Sequence, residues 1–140
     1  MIETPRSSCP VNRAVEVLGD RWSLVILRDV AMHDRRTFRD LLTGSEEGIS
    51  APLLSRRLID LTTAGLLTKE EAPRGKQGRY SLTELGISAV PLLVALGELG
   101  ARIDPTTAAH APHVHAVGAT LGDQMEALRE RHLAGRAGAH

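Results

Sequence analysis

The sequence predicts a mainly α-helical protein with one small β-hairpin. Apolar residues recur at helical spacing through most of residues 9–103 and again in residues 121–133, whereas residues 66–82 contain two strand-like runs around a turn with proline and glycine. In addition, 42% of the 140 residues are apolar, but the chain has one Trp, one Tyr and one Phe. The core must therefore be built mostly from aliphatic side chains, which suits packed helices.

The first two predicted helices meet at Gly19. The first begins at Pro10, because proline is well tolerated in a first helical turn. Its apolar stripe consists of Val11, Ala14, Val15 and Leu18. Gly19 ends this helix, and Asp20 is a suitable N-cap for the next one. Six of the nine residues 22–30 are apolar, which predicts a central helix that is buried on most sides.

Two more helices and the hairpin follow. Thr37 and Ser50 are the predicted N-caps of the third and fourth helices, with a turn at residues 44–48 between them. Gly65 ends the fourth helix. The inward stripe of that helix consists of Leu54, Leu58 and Leu61. Residues 66–71 and 79–82 are predicted to be the strands of the hairpin, and residues 72–78 its turn.

The remaining chain is predicted to be helical, with one connection. A helix covers residues 83–103 and is kinked at Pro91. Residues 104–120 form a connecting loop, residues 121–133 a C-terminal helix, and residues 134–140 a frayed tail. The chain is thus divided into a domain at residues 9–103, the loop, and the last helix.

Two short helices joined by a glycine-containing turn and followed by a hairpin form the layout of a winged helix-turn-helix. In this fold the second helix enters the major groove and the wing contacts the DNA backbone or minor groove. With Leu54 at zero and about 100° per residue, Arg56 falls near 200°, away from the core, and Arg57 near 300°, on the flank. The residues predicted to contact DNA are Arg36, Arg39, Ser50, Pro52, Ser55, Arg56, Arg57, Ile59, Arg74, Lys76 and Arg79. Taken singly, each is also compatible with an ordinary solvated surface.

The charge distribution agrees with this interpretation. The formal net charge is zero, which at first argues against a nucleic-acid partner. However, residues 21–80 carry 11 Lys and Arg against 8 Asp and Glu, while residues 81–140 carry 4 against 6. The basic surplus therefore lies in the predicted winged motif, and local clusters rather than the whole-chain sum decide affinity for phosphates.

An ordered set of short motifs resembles the HxlR family of winged-helix transcriptional regulators of bacteria. The matching segments are residues 9–11, 18–29, 36–38, 48–50, 54–58, 61–66 and 80–86. The resemblance implies a cytoplasmic DNA-binding regulator that acts as a homodimer on a palindromic operator. This sequence differs from the family pattern in two places. It lacks a Trp near the end of the long helix, and it has Pro52, Leu53 and Ile59 where polar or basic residues are common.

The resemblance also implies that the N-terminal helix and the helices after the wing form the dimer interface. The residues expected there are Val11, Val15, Leu92, Leu93, Leu96, Leu99, Leu121, Met125 and Leu128. The leucines of the long helix offer more apolar surface than a small winged core needs, although a purely intramolecular core is the alternative.

Cys9 matches a position that some family members use as a thiol sensor of oxidants or electrophiles. With one cysteine in the chain, a disulfide would have to be intermolecular or with a small thiol. The alternative role is that of a small helix-capping residue. A small-molecule-responsive regulator without thiol sensing, and a winged-helix module that binds protein, are the competing functions.

Other functional classes have weaker support. The chain has no GxGxxG or P-loop motif and no catalytic triad spacing, so an enzyme is not expected. No cofactor and no metal site are expected, because His110, His113 and His115 have no accompanying ligand motif. No apolar run approaches the length of a membrane span and residues 1–6 have no signal-peptide character, so no membrane partner is expected.

Overall fold

A computed structural model describes residues 4–110 and 120–137, and this part of the chain has the predicted class of fold. Its helices and strands, in chain order, are α1 (Pro10–Leu18), α2 (Arg21–His33), α3 (Phe38–Gly44), α4 (Ala51–Thr63), β1 (Leu67–Glu70), β2 (Arg79–Leu82), α5 (Glu84–Ser88), α6 (Val90–Ile103), a 3₁₀ helix (Pro105–His110) and α7 (Leu121–Ala137).

The predicted helix caps are confirmed. Asp20 accepts a hydrogen bond from the Ser23 N–H at 2.9 Å, and Thr37 accepts one from the Asp40 N–H at 3.1 Å. The Ser50 hydroxyl faces the Leu53 N–H at 3.4 Å. These bonds satisfy backbone groups that the first turn of a helix leaves without a partner, so the starts of α2, α3 and α4 are determined by local sequence.

The core is aliphatic, as the composition predicts. Ile26, Leu27 and Val30 of α2 are at most 2% exposed and belong to the same core cluster as the inward stripe of α4. Full burial of an aliphatic side chain of this size stabilises the fold by about 1.5–3 kcal/mol. Of the three aromatic residues, Tyr80 is buried, whereas Trp22 and Phe38 are partly buried against the edge of the core.

The hairpin has the predicted second strand and a slightly shorter first strand. β1 and β2 are antiparallel, with Leu67 opposite Leu82 and Lys69 opposite Tyr80. The turn contains Gly75 at φ +87°, a backbone conformation that suits glycine because residues with a Cβ rarely adopt a positive φ. The strands carry this turn away from the core, and we call residues 67–82 the wing.

Two predicted element boundaries are wrong. The helix expected over residues 83–103 is interrupted at Ala89 and forms α5 and α6, because Pro91 has no N–H for a continuous helical ladder. The last helix does not end at residue 133 but continues to Ala137, so part of the expected tail is helical. The expected connecting loop contains the 3₁₀ helix in its first half.

The expectation that no segment resembles a membrane span needs correction. Residues Glu84–Ile103 are long and apolar enough to pass a test of length and composition, with a mean hydropathy of 1.5. This is weak evidence for a membrane span, because core helices of other proteins pass the same test. In this protein the segment is interrupted at Ala89 and buries Val90, Leu93 and Val94 against the core.

Candidate nucleic-acid interface

The exposed face of α4 lies opposite its buried leucines. Leu54, Leu58 and Leu61 are at most 2% exposed, whereas the Arg56 side chain is 69% exposed and Ile59 is 59% exposed. Ser50, Pro52 and Ser55 are also exposed. Arg56 Nε lies 3.7 Å from Asp60 Oδ1, which for so exposed a pair is a weak interaction. The outward direction expected for Arg56 is thus the one that the structure shows.

Arg57 is directed elsewhere. Its guanidinium hydrogen-bonds to Asp20, the N-cap of α2, and lies 3.3 Å from a carboxylate oxygen of Asp60. Burial raises the pKa of Asp20, but hydrogen bonds from Ser23 and Arg57 outweigh it and keep that pKa below its ordinary value. Arg57 therefore ties α4 to the start of α2, while its side chain stays 29% exposed and its contact with DNA stays a prediction.

The wing presents the other exposed cations. Arg74, Lys76 and Arg79 are all exposed, as the sequence suggests for a wing that meets phosphates. The Gln77 side-chain oxygen accepts a hydrogen bond at 3.1 Å from the Arg39 N–H, in the first turn of α3. This bond fixes the turn of the wing beside the helix-turn-helix, where the Arg39 side chain is itself exposed.

A groove of about 510 Å³ separates α4 from the wing. Its lining includes Ser55 and Ile59 from α4 and Lys69, Gln77 and Tyr80 from the wing. Lys69 Nζ lies 5.8 Å from the centre of the Tyr80 ring. Sequence reasoning missed Lys69 and Gln77. The position of Lys69 directly opposite Tyr80 in the hairpin was the signal that would have found the lysine.

Arg36 is not available to DNA, and its prediction as a contact residue is wrong. It is 8% exposed, and its Nε donates to the Tyr80 carbonyl at 2.9 Å while another guanidinium nitrogen donates to the Ser81 hydroxyl. The Arg36 carbonyl accepts from the Tyr80 N–H at 2.7 Å. Burial, with Arg79 nearby, lowers the pKa of Arg36. Arg36 thus fastens the loop between α2 and α3 to strand β2.

His132 is a second residue that fastens β2, and sequence reasoning gave it no role. It is 3% exposed, and its Nδ1 accepts a hydrogen bond from the Leu82 N–H at 2.9 Å. Burial lowers the pKa of His132 to about 4, and the charge of Arg36 acts in the same direction. The partners are 50 residues apart in the chain, so no local sequence signal could have indicated the contact.

A charged network holds the turn between α3 and α4. Arg28 of α2 makes two hydrogen bonds of 2.8 Å to Glu47 and also bonds to Asp29, which is 1% exposed. Arg35 lies 3.1 Å from Asp29. The bonds from Arg28 lower the pKa of Glu47 to about 2. This network fixes the turn that sets the angle between the two helices of the motif.

The residues expected at a dimer interface fall into two groups. Val11, Val15, Leu92, Leu96, Leu99 and Leu121 are exposed, by 37% to 71%. Leu93 and Leu128 are 7% and 4% exposed within this chain, so their expected place in a dimer interface is wrong. Met125 is partly buried against the same core. Ile103, which is 76% exposed and continues the line of Leu92, Leu96 and Leu99, was missed.

The remaining residues singled out by sequence do not line the groove between α4 and the wing. Cys9 is an exposed, free thiol at the N-cap position of α1. His110 ends the 3₁₀ helix, and His113 and His115 lie outside the described residues. Among residues 4–110 and 120–137, no group of three or more His, Cys, Asp or Glu side chains is placed to hold a metal ion.

The fold and the exposed surface define a winged helix-turn-helix protein: two helices joined by a fixed turn, a hairpin beside them, and cations on the exposed faces of both. The chain belongs to the HxlR-like helix-turn-helix family, whose model matches residues 17–107.

Similar proteins agree with this membership. The chain is 33% identical over 93 residues to an uncharacterized HTH-type transcriptional regulator of Synechocystis, a match that covers 66% of this chain and 67% of the relative. It is 36% identical over 91 residues to one of Mycobacterium tuberculosis, with 64% of this chain and 56% of that relative covered.

Solved structures give the same result. The crystal structure of PA1607, described as a candidate transcription factor, superposes with a TM-score of 0.62 at 35% identity, covering 68% of this chain and 65% of that one. PA1374 from Pseudomonas aeruginosa, similarly described, gives 0.50 at 33% identity, covering 67% and 63%. Both matches span slightly less than two thirds of the neighbour's own length.

Proposed function

We propose that this protein is a sequence-specific DNA-binding transcriptional regulator of the cytoplasm that acts as a homodimer. The observation that carries the proposal is the joint exposure of Arg56 on α4 and of Arg74, Lys76 and Arg79 on the wing, the two elements whose other residues line one groove. A winged helix-turn-helix that docks with α4 in the major groove needs cations at these two places.

The exposed face of α4 suits direct contact with base edges. Arginine makes bidentate hydrogen bonds to guanine, serine bonds to bases or phosphates, and an exposed aliphatic group contacts the thymine methyl. Arg56, Ser55 and Ile59 provide these three chemistries on one face. The wing cations and Arg39, by contrast, suit phosphate contacts, which position the protein and carry no sequence information directly.

The exposed apolar stripe on α6 supports the dimer. Leu92, Leu96, Leu99 and Ile103 recur at helical spacing, and their exposure ranges from 39% to 76%. Contiguous apolar surface of this kind marks an interaction site. A two-fold dimer through this stripe, with Val11 and Val15 of α1 and Leu121 of α7 contributing, would present two α4 helices to a palindromic operator.

An effector would act on this dimer. The exposed position of Cys9 at the start of α1, two residues before Val11, supports an oxidant or electrophile as effector, because a modified thiol there would lie close to the proposed interface. A small-molecule effector without thiol chemistry is the alternative. Neither changes the proposed DNA-binding surface.

Capture of genomic DNA fragments by the purified protein, with and without a thiol oxidant, tests the proposal. Enrichment of a common inverted-repeat sequence is expected, with release on oxidation for wild type and no release for Cys9→Ser. Binding should weaken steeply as salt rises, because counterions are released from neutralised phosphates. Capture without any shared sequence would contradict sequence-specific regulation, and oxidant release that persists in Cys9→Ser would contradict a role for the thiol.

A further inference from the structure

The outer edge of the wing is covered by two separate parts of the chain. β1 pairs with one edge of β2. On the other edge, the Tyr80 N–H and carbonyl are bonded to Arg36, and the Leu82 N–H is bonded to His132 Nδ1. An open strand edge would leave these backbone groups without protein partners. The C-terminal helix α7 therefore completes the wing through one imidazole nitrogen.

We propose that His132 is a positioning residue for the wing: it docks α7 against β2 in its neutral form, and protonation of the imidazole releases α7 and loosens the wing. The proposal rests on the DNA-binding function proposed above, because a loosened wing matters only if the wing contacts DNA. His132 itself is buried and contacts no DNA.

The hydrogen-bond geometry requires a neutral ring. Nδ1 accepts the Leu82 N–H, so it carries no proton, and the neutral tautomer has its proton on Nε2. Nε2 is buried and has no hydrogen-bond partner among the described residues. A second proton on the ring would make Nδ1 a donor, so it could no longer accept the hydrogen bond from the Leu82 N–H. It would also place an unpaired positive charge in a buried site.

The charged groups around the ring oppose protonation. Those that face it are Asp34 and Arg36 from the loop before α3, Arg79 from β2 and Arg131 from α7 itself. Glu70 of β1 lies opposite Arg79, and Glu84 of α5 is already paired with Arg129 of α7. Burial and the three arginines outweigh the one carboxylate of Asp34, which agrees with the lowered pKa of His132.

The direction of the pH effect follows from these positions. In an undocked α7 the imidazole has its ordinary pKa near 6.5, whereas the docked ring has a pKa of about 4. Docking is therefore fully favourable above pH 6.5 and weakens as the pH falls towards 4. Between pH of about 7.5 and about 5, the docking equilibrium should fall by about 30-fold.

Amide hydrogen exchange measured by NMR without DNA tests the docking directly. The protection factor of the Leu82 amide should fall by about 30-fold in wild type across this pH range. In His132→Asn, whose side-chain oxygen can take the place of Nδ1 and does not titrate, protection should stay constant. In His132→Leu, which has no acceptor, it should be about ten-fold lower at both pH values. His110→Asn removes an exposed imidazole and should behave as wild type.

Affinity for a random-sequence duplex of about 30 base pairs, measured at several salt concentrations, then tests the consequence for the wing. At pH of about 5, wild type should lose salt dependence relative to His132→Asn, because wing cations leave the phosphates. Leu82 protection that is independent of pH, or unchanged in His132→Leu, would overturn the docking. If Leu82 exchange behaves as expected but wild type and His132→Asn bind DNA identically at pH of about 5, His132 does not position the wing for DNA. Failure of wild type to bind any duplex would instead overturn the proposed function, and with it that role.

Discussion

Replacement of Arg36 by methionine distinguishes a structural cation from a DNA-contacting one. Methionine keeps an unbranched apolar chain in the buried site but removes the donors to the Tyr80 carbonyl and the Ser81 hydroxyl. A buried acceptor left without a donor costs about 1–3 kcal/mol. Because Arg36 is buried as a cation with a lowered pKa, its removal also recovers part of a desolvation cost. The net loss expected is about 2 kcal/mol of the free energy of unfolding.

Urea unfolding followed by circular dichroism measures this loss. With a typical dependence of 1–3 kcal/mol per M urea, the midpoint of Arg36→Met should fall by about 1 M. Arg39→Met is the matched control, because its side chain is exposed and only its backbone N–H bonds to Gln77. The control should unfold within about 0.5 kcal/mol of wild type.

The salt dependence of DNA binding gives the opposite result for the two variants. Arg36→Met should keep the wild-type slope of log affinity against log salt, whereas Arg39→Met should lose about 1 from that slope per protomer. An Arg36→Met protein with an unchanged urea midpoint but a reduced slope would refute the assignment of Arg36 to the fold and would restore it to the DNA surface.

Four further substitutions, of which Lys76→Ala is a matched control, test other parts of the molecule. Arg56→Ala should weaken binding to a captured operator by about 1–3 kcal/mol more than binding to random DNA, whereas Lys76→Ala should weaken both about equally. Fluorescence anisotropy with the two duplexes measures these losses of affinity. Equal losses on both duplexes for Arg56→Ala would count against a contact between Arg56 and the bases. Leu96→Glu should convert the proposed dimer into a folded monomer in sedimentation experiments, because this leucine is 39% exposed and is not among the side chains packed against the core. A dimer that persists would argue against the α6 stripe. Glu47→Gln should cost about 1 kcal/mol by weakening the bonds from Arg28. Since the pKa of Glu47 is lowered to about 2, its contribution to the free energy of unfolding is present above its ordinary pKa near 4.5 and is lost as the pH falls towards 2. Glu47→Gln should therefore lose that part of the pH dependence of urea unfolding. An unchanged pH profile in the variant would contradict the network.

Local sequence determined the features that were predicted correctly. A helix cap such as Asp20, Thr37 or Ser50 bonds to a backbone group three residues away, so the whole interaction lies within one short segment. The outward direction of Arg56 followed from the period of one helix. These features do not depend on which other element packs against the helix.

The incorrect predictions concern residues whose environment is set by distant parts of the chain. Helix α6 carries apolar residues on two faces, and its period alone does not say that Leu93 faces the core of its own chain while Leu96 faces outward. Leu128 is similarly buried by packing of α7. Arg36 and His132 bond to residues of β2 that lie 44 and 50 positions away in the chain. Their burial is therefore determined by tertiary packing, which no local sequence pattern indicates.

Only part of the basic surplus in residues 21–80 is available to bind DNA. Four of its eleven cations belong to the fold: Arg28, Arg35 and Arg57 are paired with carboxylates, and Arg36 is buried against β2. Arg21 lies against the ring of Trp22 at the start of α2. The exposed cations on α3, α4 and the wing are Arg39, Arg56, Lys69, Arg74, Lys76 and Arg79. The salt dependence of DNA binding should therefore reflect about six charges per protomer rather than eleven. The other cations still serve the same surface, because Arg28 fixes the turn, Arg57 fixes α4 and Arg36 fixes the wing, and these three constraints set the angle at which the exposed cations meet the DNA.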